Sequence, residues 1–197
     1  MIKYAISGNI ASGKSTVESI LRDFGYLVFD TDIIAHQLLN QSKNEIIDAF
    51  AGYDILENNE ISRKKLGNFV FKDKNLKEIL EKILHPKIKN EILNILKKNE
   101  KEKVVFVSIP LLFELGWQNM FDKVLFVSAN DEIRLQRLMK RNSLSIEQAK
   151  ERLQSQMSQN KKVELSDFII CNNEDKPCLQ KQVNEFIILL KDEIGEN

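Results

Sequence analysis

Apolar positions along the chain follow two periods, and their order predicts the architecture. Residues 3–7, KYAIS, form a short apolar run that stops at Gly8 and predict a buried strand. Residues 14–24 carry Val17, Ile20, Leu21 and Phe24 at helical spacing, with Gly25 where a helix C-terminal glycine would sit. Residues 26–29, YLVF, predict a second strand that runs into Asp30-Thr31-Asp32. Strand, glycine-bearing loop, helix and strand are the opening of a parallel α/β sheet.

The pattern changes over residues 33–100. Apolar residues recur at helical spacing through IIAHQLL, EIIDAF, LGNFVF, LKEILEKIL and IKNEILNILKK. Short polar stretches such as Glu57-Asn58-Asn59-Glu60 divide them, so a set of helices is expected. Pro86 suits the first turn of a helix beginning near residue 86. Strand character returns at 104–109, ended by Pro110, and again at 123–127. A helix is expected over 131–141 with Asn130 or Asp131 as its cap. Ser145-x-x-Gln148 has the form of a capping box opening a helix through Gln156. A last short strand at 168–171 and a helix over 179–194 complete the pattern, which contains no internal repeat.

Composition narrows the class. The 197 residues suggest one domain, long enough to bury roughly 70% of the unfolded chain's surface. Lys plus Arg and Asp plus Glu both total 29, so the net charge is zero, which argues against a sequence-blind nucleic-acid binder. Two cysteines, Cys171 and Cys178, are too few for a disulfide scaffold, and His36 and His85 lie far from them, which disfavours a zinc site. The N-terminus does not read as a signal peptide, and no run of 18 apolar residues exists, so a cytoplasmic protein that touches no membrane is expected. Of only six arginines, Arg134, Arg137, Arg141 and Arg152 fall in one 19-residue window. Such a cluster is either a solvated helix face or an anion clamp.

One segment carries explicit chemistry. Gly8-Asn9-Ile10-Ala11-Ser12-Gly13-Lys14-Ser15 fits G-x-x-x-x-G-K-[ST], the phosphate-binding P-loop. Gly8 and Gly13 allow backbone angles at which successive N–H groups face one anion. The helix that follows presents free N–H groups and the positive end of its dipole. Lys14 is expected to reach the β- and γ-phosphates, and the Ser15 hydroxyl to bind Mg²⁺. No guanine-reading Asn-Lys-x-Asp is present, and Ser108 and Pro110 stand where an ATPase strand would end in Asp. A small-molecule kinase fits better, its helical insertion holding the acceptor and its arginines closing over ATP. Asp30 and Asp32 stand at the carboxyl end of the second strand, where open α/β sheets bind ligands. Asp32 is read as the acceptor of the attacking hydroxyl's proton, a role compatible with capping the next helix, and Asp30 as a water-mediated Mg²⁺ partner.

Together these pieces resemble the dephospho-CoA kinase family. The resemblance runs through the P-loop Gly8–Thr16, Asp30-Thr31-Asp32, Ile61-Ser62-Arg63-x-x-Leu66, His85-Pro86 and Pro110-Leu111-Leu112-Phe113-Glu114. It continues through Arg137-Leu138-x-x-Arg141, Arg152-Leu153-x-x-Gln156 and Asp167-x-Ile169-Ile170-x-Asn172. It implies ATP-dependent phosphorylation of the ribose 3′-hydroxyl of dephospho-CoA, the last step of coenzyme A synthesis. The implied fold is α/β: a P-loop kinase-like five-stranded parallel sheet flanked by helices, with a helical acceptor-binding insertion and a helical lid. The nucleotide-binding core would span about 1–40, 101–137 and 165–197, the acceptor-binding region 41–100 and the lid 138–164, all in one monomeric kinase domain.

By resemblance Asp32, Lys14 and Arg137 are the catalytic residues. Gly8, Ala11, Ser12, Gly13, Lys14, Ser15, Thr16, Arg141 and Asn172 would bind ATP. His36, Arg63, His85 and Leu111 would meet dephospho-CoA, and Ser15 and Asp30 would hold Mg²⁺. Arg134 is left on the solvated side. His85, Arg63 and Glu114 each have a plain structural reading beside the functional one. The sequence departs from the family pattern at Ala11 for a loop glycine, His36 for an arginine, Ser108 for an aspartate, Gln159 for a basic residue and Ser166 for an alanine. The competing readings are another small-molecule or nucleoside monophosphate kinase, and a non-catalytic ATP-binding regulator.

Overall fold

A computed structural model describes residues 1–195. In chain order it begins with β1 (Ile2–Gly8), α1 (Lys14–Asp23), β2 (Val28–Asp30), α2 (Thr31–Gln41) and α3 (Lys43–Ala49). Then come β3 (Leu56–Glu57), β4 (Glu60–Ile61), α4 (Arg63–Lys72), α5 (Lys74–Lys98) and β5 (Val104–Ser108). It closes with β6 (Lys123–Ser128), α6 (Asp131–Asn142), α7 (Ile146–Gln154), α8 (Gln159–Glu164), β7 (Phe168–Cys171) and α9 (Lys176–Ile194). The chain forms two compact units, one of residues 1–29 and 99 onward, the other of residues 30–98.

The first unit is built on a five-stranded sheet in the order β2-β5-β1-β6-β7. β1 lies at its centre, parallel to β5 on one side and β6 on the other, and β7 is parallel to β6. Val105, Val107 and Phe126 are fully buried, as are Tyr4, Ile6, Phe106 and Val127 on neighbouring positions of the same strands. Burial on both faces explains why these strands read as unbroken apolar runs. One face forms a core with Val17 and Leu21 of α1 and Val183, Phe186 and Leu190 of α9. Tyr4 sits 5.2 Å from Phe106 and 5.7 Å, edge-on, from Phe186. The Tyr4 hydroxyl donates to Glu193 at 2.8 Å, and burial beside that carboxylate pushes its pKa far above the ordinary phenol value.

The second unit is mostly helical and packs α2, α3 and α4 around α5. It differs from expectation in two places. Pro86 does not start a helix; it lies inside the 25-residue α5. An interior proline removes one hydrogen bond and crowds the preceding turn, at about 3 kcal/mol. The helix continues because Leu84, Ile88, Ile92 and Ile95 bury one stripe across the proline. The polar stretch 57–60 is a two-residue hairpin turn between β3 and β4, with Asn58 at φ 50° and Asn59 at φ 63°. Asparagine tolerates this left-handed backbone, which a tight hairpin turn requires.

In the first unit the capping box forms as expected, Ser145 and Gln148 exchanging side-chain and backbone bonds, although α7 ends at Gln154. The short α8 had no expected counterpart. α9 begins earlier than the apolar pattern implied, because the Asp175 side chain accepts from the Cys178 N–H at 3.0 Å and Pro177 occupies the first turn.

Candidate active site

The loop between β1 and α1 is shaped by close packing. Ile6 pairs with Ser108 on one side of β1 and Gly8 with Val127 on the other, so the strand delivers the loop at the C-terminal edge of the sheet. A Cβ on Gly8 would lie 2.6 Å from Ser12 Oγ and 2.8 Å from the Val127 carbonyl. Gly13 has φ +96° and caps α1 without a side chain, and no acidic residue lies in the first turn. The first N–H groups of α1 thus keep their donors and dipole for an anion. Ala11 adopts φ 63°, a region that favours glycine.

Neighbouring segments hold the loop. Asn172 is buried at the end of β7; its Nδ2 donates to the Ser12 carbonyl at 2.7 Å. Arg137 Nη2 donates to Asn172 Oδ1 at 3.4 Å, linking α6 to the loop through one side chain. Gln156 accepts from the Ile10 N–H at 2.7 Å, and Asn9 Nδ2 donates to the Met157 carbonyl at 3.0 Å. Arg134 is not on the solvated side. It is 2% exposed, donates to the Ile10 carbonyl at 3.0 Å and pairs with Asp131 at 2.7 Å. Its guanidinium thus bridges the loop carbonyl and the exposed Asp131 one turn earlier on α6. Arg141 is exposed and bonds to Asn142.

Glu18 and Lys162 escaped sequence reading, and Gln159 was read only as a departure from the family pattern. Glu18 lies against Lys14 and Ser108: its Oε1 is 2.7 Å from Lys14 Nζ and accepts from Ser108 Oγ at 2.6 Å. Lys162 is completely buried and pairs with Glu114 at 2.7 Å, while Glu114 also accepts from the Met157 N–H at 3.1 Å. Glu114 therefore ties the segment after β5 to that before α8. Gln159, in the place of a basic residue, clamps the Ala129 backbone at both its N–H and its carbonyl. The i, i+4 spacing of Lys14 and Glu18 was a usable signal; the Glu114 and Lys162 partnership spans 48 positions and left none.

In the second unit Asp30 Oδ1 accepts from the Asp32 N–H at 2.8 Å, so Asp30 is the cap of α2. Asp32 stands exposed in the first turn, and His36 is exposed one turn on. Arg63 is exposed at the start of α4. His85 is half-buried in α5, and burial lowers its pKa below the usual imidazole value, with Lys77 acting the same way and Glu81 opposing. Leu111, in the first unit, is partly exposed, while Leu112 and Phe113 are core residues, Phe113 packing edge-on to Phe126 at 6.4 Å.

The dephospho-CoA kinase family model matches residues 2–177. The chain belongs to the dephospho-CoA kinase family. A dephospho-CoA kinase of Wolinella succinogenes is 40% identical over 189 residues, covering 95% of this chain and 94% of that one. One from Listeria innocua is 39% identical over 187 residues, covering 92% and 94%. Among solved structures, the Campylobacter jejuni dephospho-CoA kinase superposes with a TM-score of 0.76 at 35% identity, over 97% of this chain and 98% of that one. A Thermus thermophilus protein reaches 0.85 at 31% identity, over 96% and 97%. An Acinetobacter baumannii shikimate kinase shares the fold at 14% identity, with a TM-score of 0.57. Family membership makes the chain a kinase that acts at the final step of coenzyme A biosynthesis, and the P-loop fold implies ATP as donor. No helix among the described residues is long and apolar enough to cross a membrane.

Proposed function

We propose that the chain transfers the γ-phosphoryl group of Mg·ATP to the ribose 3′-hydroxyl of dephospho-CoA, with named residues in distinct roles. The uncapped start of α1, shaped by Gly13 at φ +96°, carries this reading, because it offers backbone donors to an anion and has no acidic residue in its first turn.

Phosphoryl transfer has a loose transition state, so catalysis is mostly positioning and charge stabilisation. Lys14 holds the β- and γ-phosphates from the first position of α1. Gly8, Ala11, Ser12, Gly13, Ser15 and Thr16 supply the cradle. Arg137 stabilises charge on the transferring group, oriented by its bond to Asn172. Arg141 covers the nucleotide from the last turn of α6. Asp32 receives the proton of the attacking hydroxyl; its N–H is bonded to Asp30, which fixes the first turn of α2 and with it the exposed position of Asp32. His36, Arg63, His85 and Leu111 contact dephospho-CoA. Mg²⁺ suits hydroxyl and carboxylate oxygens, and by the family resemblance Ser15 and Asp30 are the residues that would hold it. When bound, it would neutralise charge on the phosphate oxygens. Residues 41–100 form the acceptor-binding region and 138–164 the lid of one kinase domain, which acts as a monomer.

The test is turnover. Purified protein is incubated with Mg·ATP and dephospho-CoA, and ADP and CoA are followed together. Acceptor-dependent ADP release with stoichiometric CoA is expected, and Lys14→Ala and Asp32→Asn are each expected to abolish it. A folded protein that forms no CoA refutes the assignment, and a folded Asp32→Asn with near-normal kcat refutes the carboxylate's role. A panel of nucleoside monophosphates in the same assay separates the alternative kinase reading.

A further inference from the structure

The face of α1 that packs on the sheet carries Val17, Ile20 and Leu21, all buried apolar residues, and among them Glu18. Its side chain is 2% exposed. A carboxylate so placed is costly unless its charge is met. It is met by Lys14 at 2.7 Å, by the Ser108 hydroxyl at 2.6 Å, and by Arg22 Nη2 at 3.4 Å. Lys14 Nζ also hydrogen-bonds Ser108 Oγ, which closes a triangle of ammonium, hydroxyl and carboxylate at the end of β5.

An ammonium has three protons. Two of Lys14's are directed at Glu18 and Ser108, so the direction of the third is fixed by tetrahedral geometry. Lysine otherwise carries its charge on a flexible four-carbon stem, free to point over a wide cone. We infer that Glu18 is a positioning residue: its buried carboxylate aims the free proton of Lys14 and so sets the alignment of the lysine with the transferring phosphoryl group. The inference rests on Lys14 being the phosphate-binding lysine. Misalignment of a group that acts mainly by position lowers kcat more than it weakens binding.

The same carboxylate has a second arm. Arg22, held to Glu18, donates from Nε and Nη2 to the Val28 carbonyl at 3.3 and 3.1 Å and ties α1 to β2. A purely structural Glu18 would act through that arm, and the two can be separated. Ser108 already touches both Lys14 Nζ and Glu18 Oε1, so an aspartate at 108 can present a carboxylate to the same ammonium from the strand.

The experiment measures folding by urea titration, and kcat and KM for Mg·ATP, in the wild type, Lys14→Ala, Glu18→Gln, Arg22→Gln and the double variant Glu18→Ala/Ser108→Asp. Glu18→Gln is expected to lower kcat about tenfold with KM within about threefold. Arg22→Gln is expected to lower stability and leave kcat unchanged. The double variant is expected to recover kcat to within about threefold of the wild type. A folded Glu18→Gln with wild-type kcat overturns the inference. So does a folded double variant that stays as slow as Glu18→Gln, since the charge would then be in place without effect. If Glu18→Gln does not fold, the double variant alone decides, by its kcat. If neither folds, Glu18 is structural and the inference falls. A fully active Lys14→Ala would instead refute the role proposed for the lysine, a failure distinct from inactivity of Glu18→Gln alone.

Discussion

Gly13 and Asn172 offer a double-mutant test of how the phosphate loop is braced. A Cβ at Gly13 would lie 2.0 Å from Asn172 Nδ2, well inside contact distance, and Gly13 has φ +96°. Gly13→Ala therefore carries two costs. The left-handed backbone strain of a non-glycine residue is about 1–2 kcal/mol. The clash also drives Asn172 off the Ser12 carbonyl, now bonded at 2.7 Å, and leaves a buried acceptor unmet, at about 1–3 kcal/mol. Asn172→Ala alone loses the same bond and costs a similar about 1–3 kcal/mol. In the double variant there is no Asn172 side chain to displace, so only the backbone strain adds. The two substitutions should be less than additive by the bond counted twice, about 1–3 kcal/mol. Urea unfolding of the four proteins, with m-values checked for constancy, measures the coupling. Additivity within about 0.5 kcal/mol would show that the contact does not brace the loop.

Other consequences are simpler to state. Ala11→Gly should stabilise the protein by about 1 kcal/mol, because φ 63° is strained for alanine; an unchanged or lower urea midpoint refutes that strain. Glu114→Gln leaves the Lys162 ammonium buried without its counter-charge and should cost about 3–5 kcal/mol, whereas Glu114→Leu/Lys162→Met should cost far less by the same titration. His85 resists protonation when folded, so the unfolded state binds more protons as pH falls through about 6.5, and stability declines on acidification there; His85→Gln should flatten that slope in a series of melts from pH 7.5 to 5.

The sheet was legible because both faces of its strands are buried. A strand such as Val104–Ser108 needs no partner to declare itself, since every side chain in it is apolar or small. The errors fall where a tertiary interaction overrode a local rule. Pro86 is a good first-turn residue, and only the stripe Leu84, Ile88, Ile92 and Ile95 on either side shows that the helix passes through it. The hairpin turn at Asn58 and Asn59 reads as a polar divider until two strands of two residues each are seen to pair across it. The start of α9 shifted to Lys176 because Asp175 caps it, a signal present in the sequence but weaker than the apolar period that begins at Leu179.

The site divides along the same line. Gly8 and Gly13 are written in the motif because a side chain has no space at either, and at Gly13 the left-handed angle excludes one as well. Residues that act through distant partners are not. Arg134 looks like one more cation on a charged helix, and Asn172 is named by the family resemblance only as a nucleotide contact, yet each bonds to a loop carbonyl more than 100 residues away. Glu18 joins the two kinds. It sits four residues from Lys14, so the pairing is local, but its burial depends on Ser108, ninety residues on, which has a hydroxyl where the family resemblance led us to expect an aspartate. The ammonium of Lys14 still meets a carboxylate, reached from the helix instead of the strand. A departure at one position is thus legible as chemistry only when the side chain that faces it is known.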